Sequence, residues 1–382
     1  MTDWKSSLRA DPTSWLLETA CPPIRYRVLT EILGIPADDP KVIAARKEAH
    51  AYPPALRLMR LQRGDGSWAG TLHAGDTRKP NPSTELYLSM LYEHGFDRST
   101  PPVKKALRLL KTYLTQRRDL KLYEFQRQVK ADILRERYYR WLLKILALGL
   151  VQRAGSESEG RIVEMAIDLL QRVSAFVNDP ISRNPVERPG TRQALIRREV
   201  MRDGYPFIPD VHVTRVFAAT PRMLDSDLLK TRLKKTYDYV ISENYQNLGA
   251  SIGLMKTARG AFVKGGGIEL RPVEHYTRTG TLDHLMLTLE SFARLGLVNR
   301  YPLLMGYLEW FLNLQEKDGR WTLQQKHFDS GSVWSRLMRL EKDWRSPARA
   351  SADMTFRILL ILRHQWERQI RMLDRGEDPF PI

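Results

Sequence analysis

One eight-residue pattern occurs twice in the chain and restricts the folds that the chain can adopt. The copies begin at Leu61 and Leu314, and both read Leu-Gln, two variable residues, Asp-Gly, one variable residue and Trp. A run of helical apolar periodicity ends at each copy. Gln and Asp can hydrogen-bond the free backbone groups of a helix end, Gly can adopt the positive φ of a turn, and Trp can cover the junction. Two copies with the same five fixed residues indicate an internal repeat.

A second correspondence extends the repeat. Gly95 and Gly296 each end a helical run, Pro101 and Pro302 each start the next one, and both pairs are 201 positions apart. A weaker third copy surrounds Gly149. The repeating unit is therefore a helix, a glycine turn and a helix that starts with proline. The two full motifs are 253 residues apart, which corresponds to about five helical hairpins at roughly 50 residues each.

The pattern Gln-x-x-Asp-Gly-x-Trp resembles the QW motif of the terpene cyclase and protein prenyltransferase superfamily, whose domains are α/α toroids. The chain is similar to the small bacterial proteins of this kind that are labelled as prenyltransferase or squalene-cyclase repeats without an assigned reaction. The resemblance covers residues 20–365 in pattern. It implies that the motif joins outer to inner helices away from the chemistry, so it implies an architecture and no particular reaction.

We therefore predict an all-α protein, an α/α toroid of about five to six helical hairpins. Residues 1–382 are predicted to form a single domain, with a short N-terminal helical extension at 1–35 and a polar tail at 370–382. Trp68 and Trp321 are expected to pack at helix ends in the outer layer.

Strand signals are weak, and two segments rich in glycine or proline are predicted to be loops. Residues 179–190 contain three prolines and are expected to form a long surface loop. Residues 259–272 contain the run Lys264-Gly265-Gly266-Gly267. This run lacks the residue order and the strand context of a phosphate-binding loop, so we expect a mobile loop near a cavity rim.

Composition limits the environment of the protein. Hydrophobic residues make up 42% of the chain, and the mean hydropathy is −0.42. No apolar run reaches roughly 18 residues, so no transmembrane segment is predicted. The N-terminus lacks the apolar segment of a signal peptide, and a cytoplasmic location is expected. Cys21 is the single cysteine, which excludes an internal disulfide and a multi-cysteine zinc site; no metal and no cofactor are predicted.

The charge is strongly basic, with 61 Lys and Arg against 44 Asp and Glu, a net charge of +17 and a pI near 9.9. Nucleic acid, an anionic membrane surface or a phosphorylated substrate would suit this balance. The basic residues are spread along the whole chain, and no nucleic-acid-binding motif accompanies them. Dedicated nucleic-acid binding is therefore not expected, whereas a small apolar or anionic ligand and peripheral membrane contact stay open.

Polar residues at the starts of the predicted inner helices are the candidates for a functional site, because a toroid presents these starts to one end of its cavity. The six candidates for acid–base or ligand chemistry are Asp283, His284, His275, Tyr276, Asp210 and His212. A carboxylate or imidazole in a cavity can act as an acid, a base or a ligand. Alternatively, Asp283 only caps its helix and the histidines are core residues.

Asp283 and His284 cannot both point into the cavity of a regular helix, because adjacent positions diverge by about 100°. We predict that Asp283 points inward. Arg278 and Arg215 are the candidate partners of an anionic group, since guanidinium forks match carboxylate and phosphate oxygens. Tyr139, at the start of another predicted inner helix, is a further candidate for ligand binding.

The catalytic motifs of the superfamily are not found. Class II terpene cyclases protonate an alkene through an Asp-x-Asp-Asp motif, which the chain lacks. Residues 178–187 resemble the magnesium motif of class I synthases, but the final Glu is one residue late. Cys21 lies outside the repeat in which prenyltransferases carry their zinc-binding cysteine.

Three functions therefore stay open. The first is an enzyme that acts on an isoprenoid or another apolar ligand in a central cavity, where aromatic rings could stabilise cationic intermediates. The second is a non-catalytic toroid that binds a ligand or a partner. The third is a toroid lyase or glycosidase that acts on an acidic polysaccharide, which would suit the positive charge.

Overall fold

The structure is a computed structural model, and it describes residues 4–73, 82–115, 125, 127, 129, 132–155, 159–187, 194–258, 260–328 and 331–373. The described residues are mostly helical, with a small four-stranded sheet. The prediction of a mostly helical protein is confirmed. The chain forms two compact units. Unit 1 comprises Met1–Ala69, Ala74–Ala106 and Arg271–Ile382, and unit 2 comprises Gly70–His73 and Leu107–Leu270.

Sixteen α-helices lie in the described part of the chain. In chain order they are α1 (Thr13–Thr19), α2 (Pro22–Arg27), α3 (Pro40–His50), α4 (Pro53–Arg60), α5 (Thr84–Glu93), α6 (Pro101–Thr115), α7 (Ile133–Arg153), α8 (Gly160–Asn178), α9 (Val211–Ala218), α10 (Asp227–Ile241), α11 (Glu243–Gln246), α12 (Val273–Thr279), α13 (Leu282–Arg294), α14 (Pro302–Asn313), α15 (Val333–Met338) and α16 (Pro347–Met372). Helices α1–α5 and α12–α16 belong to unit 1, α7–α11 belong to unit 2, and α6 starts in unit 1 and ends in unit 2.

The helix boundaries follow from local sequence chemistry. Helices α2, α3, α4, α6, α14 and α16 start with proline, which has no N–H to leave unpaired in the first turn. Five other helices are capped by a side chain that accepts a backbone N–H, and the caps are Ser83 on α5, Asp132 on α7, Asp210 on α9, Ser242 on α11 and Ser332 on α15. These caps satisfy donors that a helix start leaves free.

Gly95 and Gly296 end α5 and α13 with the same geometry. Their φ angles are 82° and 71°, and in both turns the next residue donates its N–H to a carbonyl five residues back, Phe96 to Leu91 and Leu297 to Phe292. This is the left-handed helix end that favours glycine. A Cβ atom on either glycine would also lie 2.6 Å from its nearest neighbour, the Tyr26 ring or the Arg368 backbone.

The two copies of the Gln-Asp-Gly-Trp motif form matching turns in unit 1. Trp68 and Trp321 are fully buried, and each lies eight residues after the last residue of a helix, α4 for Trp68 and α14 for Trp321. Each indole N–H is donated to a carbonyl in the preceding helix, and each backbone N–H to a threonine in a later one. The acceptors are Leu58 O (2.8 Å) and Thr84 Oγ1 (3.1 Å) for Trp68, and Phe311 O (2.6 Å) and Thr355 Oγ1 (3.1 Å) for Trp321. Each tryptophan therefore ties together two helices.

The glutamines of the motif span the turns, whereas its aspartates lie at the surface. Gln62 Nε2 donates to Gly66 O at 3.1 Å and to Pro102 O at 2.9 Å. Gln315 Nε2 donates to Gly319 O at 2.8 Å and to Ala10 O at 2.9 Å, and its Oε1 accepts from Arg9 N at 2.7 Å. Asp65 and Asp318 are exposed and accept mainly from residues two positions on. The glutamines therefore connect each turn to a distant segment.

We expect Gln315→Ala to destabilise the protein more than Gln62→Ala. Gln315 is buried and loses three hydrogen bonds, two of them to the N-terminal segment, so the expected loss is about 2–4 kcal/mol. Gln62 is half-buried, and its loss should be about 1–2 kcal/mol. Urea unfolding of both variants measures this, with the exposed Asp318→Ala as the control with the smallest effect. Equal losses for all three variants would contradict this difference between the turns.

The prediction of an all-α fold is wrong in unit 2, which contains a small sheet. Its strands are β1 (Val186–Glu187), β2 (Leu195–Ile196), β3 (Gly253–Thr257) and β4 (Gly260–Lys264), in the order β1-β2-β3-β4. The β1–β2 and β3–β4 pairs are antiparallel, and β2 and β3 are parallel. The predicted loop 259–272 therefore starts with a strand, because the chain reverses between β3 and β4 and pairs five residues on each side. The predicted loop 179–190 likewise contains β1.

The two predicted end segments also contain ordered helices. Residues 1–35 include α1 and α2, and Leu16 and Ile24 in them are fully buried. In the predicted tail, helix α16 continues to Met372, and residues 374–382 lie outside the described residues. No helix in the described ranges combines the length and the apolarity needed to cross a bilayer.

A network of buried charges lies in the core of unit 1. Arg357 on α16 is fully buried and donates to Glu290 at 2.5 Å and to Glu93 at 2.8 Å. Glu93 also accepts from Arg27 at 2.6 Å, and Glu290 also pairs with Arg294 at 2.9 Å. Burial by itself raises the pKa of Glu290, but Arg357 and Arg294 bring it below the usual value. Two guanidinium groups thus contact each of the two carboxylates.

Candidate functional site

The predicted site residues fall into two groups, one in each unit. Asp283, His284, His275, Tyr276 and Arg278 lie on α12 and α13 of unit 1. In unit 2, Asp210 directly precedes α9, His212 and Arg215 lie on α9, and Tyr139 lies on α7. Whether they all face one central cavity stays a prediction. Each group has its own geometry.

In unit 1, Asp283 and His284 contact the same hydroxyl group. Ser332 Oγ donates to Asp283 Oδ2 at 3.1 Å and lies 3.2 Å from His284 Nε2. Ser332 also caps α15. Asp283 does not cap α13: the residue before that helix is Thr281, and it makes no side-chain cap. Although adjacent positions diverge on a helix, a serine on a neighbouring segment reaches both side chains.

This arrangement is not that of a serine nucleophile. In a catalytic triad the carboxylate orients the imidazole, and the imidazole contacts the serine. Here the Asp283 carboxylate contacts the serine itself, and Ser332 is only 1% exposed. Burial lowers the pKa of His284 to about 4, so its imidazole is neutral over most of the pH range and is a weak base. The three side chains join α13 to α15.

Tyr276, His275 and Arg278 are the other predicted residues of unit 1. Tyr276 is buried, and its hydroxyl accepts from Arg271 N at 3.1 Å. His275 is half-buried, and Arg278 is exposed at the end of α12. Tyr276 therefore holds the start of α12 in place, while Arg278 faces solvent.

In unit 2, the buried side chain of Asp210 makes three hydrogen bonds. Its Oδ1 accepts from Val213 N at 2.8 Å and caps α9, while its Oδ2 accepts from Lys264 Nζ at 2.5 Å and from Tyr205 OH at 3.1 Å. Asp210 and Lys264 are each 1% exposed. Burial by itself raises the pKa of Asp210, but Lys264 and then His212 bring the pKa below its usual value. Asp210 is thus an ionised structural anchor and a poor proton donor.

The segment that leads into Asp210 has unusual backbone geometry. Asp203 and Gly204 have φ angles of 51° and 83°, and Arg202 and Tyr205 exchange backbone hydrogen bonds. Positive φ at both central residues is typical of a type I′ turn. Phe207 also has a positive φ of 45° although it is not glycine. Such strain persists only where packing imposes it, and here the Tyr205 and Trp141 rings pack against Phe207.

Five half-buried rings in unit 2 contact one another in sequence, and we call them the aromatic row. In order of contact they are His212, His73, Phe125, Tyr139 and Phe262. Centroids of consecutive rings are 5.4, 6.3, 3.9 and 5.8 Å apart. Each ring keeps part of its surface open to solvent. The row is therefore a partly exposed aromatic surface on which an apolar molecule can pack.

A buried layer supports the aromatic row. Tyr138 packs on Phe262 and Tyr205 with centroids 5.0 and 5.3 Å away, and Lys264 Nζ lies 5.3 Å from the centre of the Tyr205 ring. Phe262 and Lys264 are two positions apart on β4, so their side chains leave the strand on the same face. The Asp210–Lys264 ion pair thus fixes β4 against the start of α9.

Tyr139 and His212 are the predicted residues that belong to the aromatic row. Arg215 is half-buried on α9, one turn beyond His212. Sequence reasoning missed His73, Phe125 and Phe262 as site residues, as well as Lys264 and Tyr205. The alternation of Phe262 and Lys264 at a spacing of two was the available signal for a strand, but the following glycines favoured a loop.

A separate groove of about 480 Å³ lies between α7 and α8 in unit 2. Its α7 lining is Trp141, Lys144, Ile145 and Leu148. Trp141 is two positions after Tyr139, about 200° around the helix, so the groove and the aromatic row lie on different faces of α7. None of the predicted site residues lines this groove.

Three acidic side chains, Asp210, Asp283 and Asp353, are between 0% and 1% exposed. Burial raises the pKa of Asp353 to about 7, and its carboxylate accepts from Leu340 N and Trp344 Nε1. None of the three can touch a ligand in this conformation. Within the described ranges, no group of three or more His, Cys, Asp or Glu side chains is placed to hold a metal ion.

Comparisons of the chain with protein-family models, with curated proteins and with solved structures find no match.

Proposed function

We propose that the protein is a ligand-binding protein of the α/α-toroid type whose aromatic row holds an apolar, unsaturated ligand such as an isoprenoid chain. The observation that carries the proposal is the row itself, five half-buried rings in consecutive contact. Aromatic rings offer a large apolar surface with little conformational freedom to lose, and their faces attract the polarisable double bonds of such a chain.

The toroid part of the proposal rests on the repeat. Both Gln-Asp-Gly-Trp turns tie the end of one helix to a later helix through the same pair of tryptophan hydrogen bonds. These hydrogen bonds support the connection between outer and inner helices that the resemblance to the terpene cyclase and prenyltransferase superfamily implies. The glycine turns at Gly95 and Gly296 also have equal geometry.

Binding is favoured over acid catalysis because of where the carboxylates lie. Protonation of an alkene needs an acid that touches the ligand, but Asp210 is buried and paired with Lys264. An enzyme acting on the same ligand is the second candidate. It is favoured by the half-buried His73 and His212 imidazoles, whose ring centroids are 5.4 Å apart in the aromatic row. Under that alternative His212→Asn abolishes turnover and leaves binding intact.

Calorimetric titration with farnesol, and with its fully saturated analogue, tests the binding proposal. We expect farnesol to bind more tightly than the saturated alcohol. Phe262→Leu and Tyr139→Leu should each weaken farnesol binding by about 2- to 10-fold, which corresponds to about 0.5–1.5 kcal/mol per aromatic contact.

Val263→Ala is the matched control, because Val263 lies next to Phe262 on β4, is 53% exposed and points to the other face of the strand. It should leave binding unchanged. The proposal fails if farnesol does not bind, or if Val263→Ala weakens binding as much as Phe262→Leu.

A further inference from the structure

Helix α14 in unit 1 carries an exposed apolar stripe. Leu303 is 40% exposed and Leu314, just after the helix, is 41% exposed. Gly306 is exposed and Trp310 is half-buried between them. The intervals of three, four and four residues place these four side chains on one face of the helix. The buried side of the helix is centred about 100° from this face and packs in unit 1 through Leu304, Tyr307, Leu308 and Phe311. α14 is therefore apolar on an exposed face that adjoins its buried face.

No contact within the chain requires a glycine at position 306. It lies in the interior of α14, where glycine destabilises a helix relative to alanine. Its φ is not in the left-handed region, and a Cβ atom built on it would meet no atom within 4 Å. The missing side chain therefore relieves no contact inside the chain. A glycine on an exposed helix face instead allows another helix to approach closely.

The charge of α14 indicates which kind of molecule supplies the second helix. The helix contains Glu309 and neither lysine nor arginine, although the whole chain has a net charge of +17. An anionic membrane or nucleic acid would bind a basic face, and this face is not basic. Two copies of so basic a chain repel each other less where the helix at the contact carries no cation of its own.

We propose that α14 mediates self-association of two copies of this chain, with the helices crossing at Gly306. In a two-fold dimer the same stripe faces itself, so Gly306 of each copy makes room for Trp310 of the other. Leu303 and Leu314 pack at the two ends of the crossing. One pair of crossing helices buries less than the roughly 1,200–2,000 Å² of a stable interface, so the dissociation constant should be micromolar.

Sedimentation equilibrium between about 1 and 100 µM tests this proposal, a range that brackets a micromolar dissociation constant. The wild-type protein should shift from monomer to dimer across the range. Leu303→Lys should abolish the dimer, because it places a cation against its own copy. Leu228→Lys is the matched control: Leu228 is a 59% exposed leucine on α10, outside the stripe, and its substitution should leave the dimer intact.

Gly306→Ala separates association from folding. In the monomer it should keep or raise resistance to urea, because alanine favours the helix and its Cβ meets nothing. It should nevertheless weaken the dimer by about 10-fold or more, because the added methyl group separates the helices. A protein that is monomeric at every concentration overturns the proposal. So does a dimer that Leu228→Lys disrupts equally, or one that Gly306→Ala leaves unchanged.

Discussion

Replacing Arg357 by methionine is expected to destabilise unit 1 by about 3–5 kcal/mol, since removing one member of a buried ion network leaves uncompensated charge in the core. Arg357 contacts both Glu93 and Glu290, and all three side chains are at most 7% exposed. After the substitution each carboxylate keeps a single guanidinium partner, Arg27 or Arg294. Urea denaturation followed by circular dichroism measures the loss.

Arg363→Met provides the matched control on the same helix. Arg363 pairs with Glu367 at 2.8 Å near the surface, where both side chains are partly exposed. A surface pair contributes about 0–1 kcal/mol, so this variant should stay close to the wild type. Adding Glu290→Gln to Arg357→Met should recover part of the loss, because one of the carboxylates that lost a partner is then neutral. Similar stabilities for Arg357→Met and Arg363→Met would show that the network does not stabilise the core.

Replacing Lys264 by methionine is the second substitution with a large expected effect. It leaves the Asp210 carboxylate buried without its cation, and we expect a loss of about 3–5 kcal/mol at neutral pH. The double variant Lys264→Met with Asp210→Asn should lose less, because asparagine can still accept from Val213 and Tyr205. Lys256→Met is the control, because Lys256 is exposed on the neighbouring strand β3.

The Lys264→Met variant should also reverse the pH dependence that Asp210 gives to stability. In the wild type the pKa of Asp210 is below 3.8, so its contribution is present above that pH and is lost as pH falls through the folded-state pKa. Without Lys264, burial raises the pKa of Asp210 above 3.8. The contribution of Asp210 to the stability of the variant is then fully present at low pH and is lost as pH rises through the raised pKa.

Unfolding curves at several pH values test this reversal. The gap in stability between Lys264→Met and the wild type should narrow as pH falls from 7 towards 4. A gap that is constant over this range would mean that Asp210 does not depend on Lys264 for its charge.

The same variant bears on the proposed binding site. Phe262 and Lys264 share one face of β4, and the ion pair holds this strand against the start of α9. At a temperature where Lys264→Met is still folded, farnesol binding should therefore weaken. Val263→Ala, on the other face of the strand, again serves as the reference for changes in β4 that do not touch the aromatic row.

The sequence by itself determined the local structure of the repeats. Several local features depend on residues that are only a few positions apart, so they could be predicted from the sequence. These features are the prolines that start helices, the glycines that end helices at Gly95 and Gly296, and the two tryptophan turns. The mostly helical class could be read as well, because apolar periodicity over ten or more residues is a strong signal. Tyr139 and His212 were found as candidates because polar and aromatic side chains at helix starts are visible in sequence.

Only the tertiary structure decided which side chains meet. His73, Phe125 and Phe262 reach the same surface from distant parts of the chain, and no local sequence pattern predicts that they lie close together. Lys264 lies in a glycine-rich segment that favours a loop, and it becomes the partner of Asp210 only because β3 and β4 pair. Asp283 and Asp210 look alike in sequence, each near a helix start. One is bound by a serine and the other by a lysine, and the difference lies in the side chains that packing brings against them.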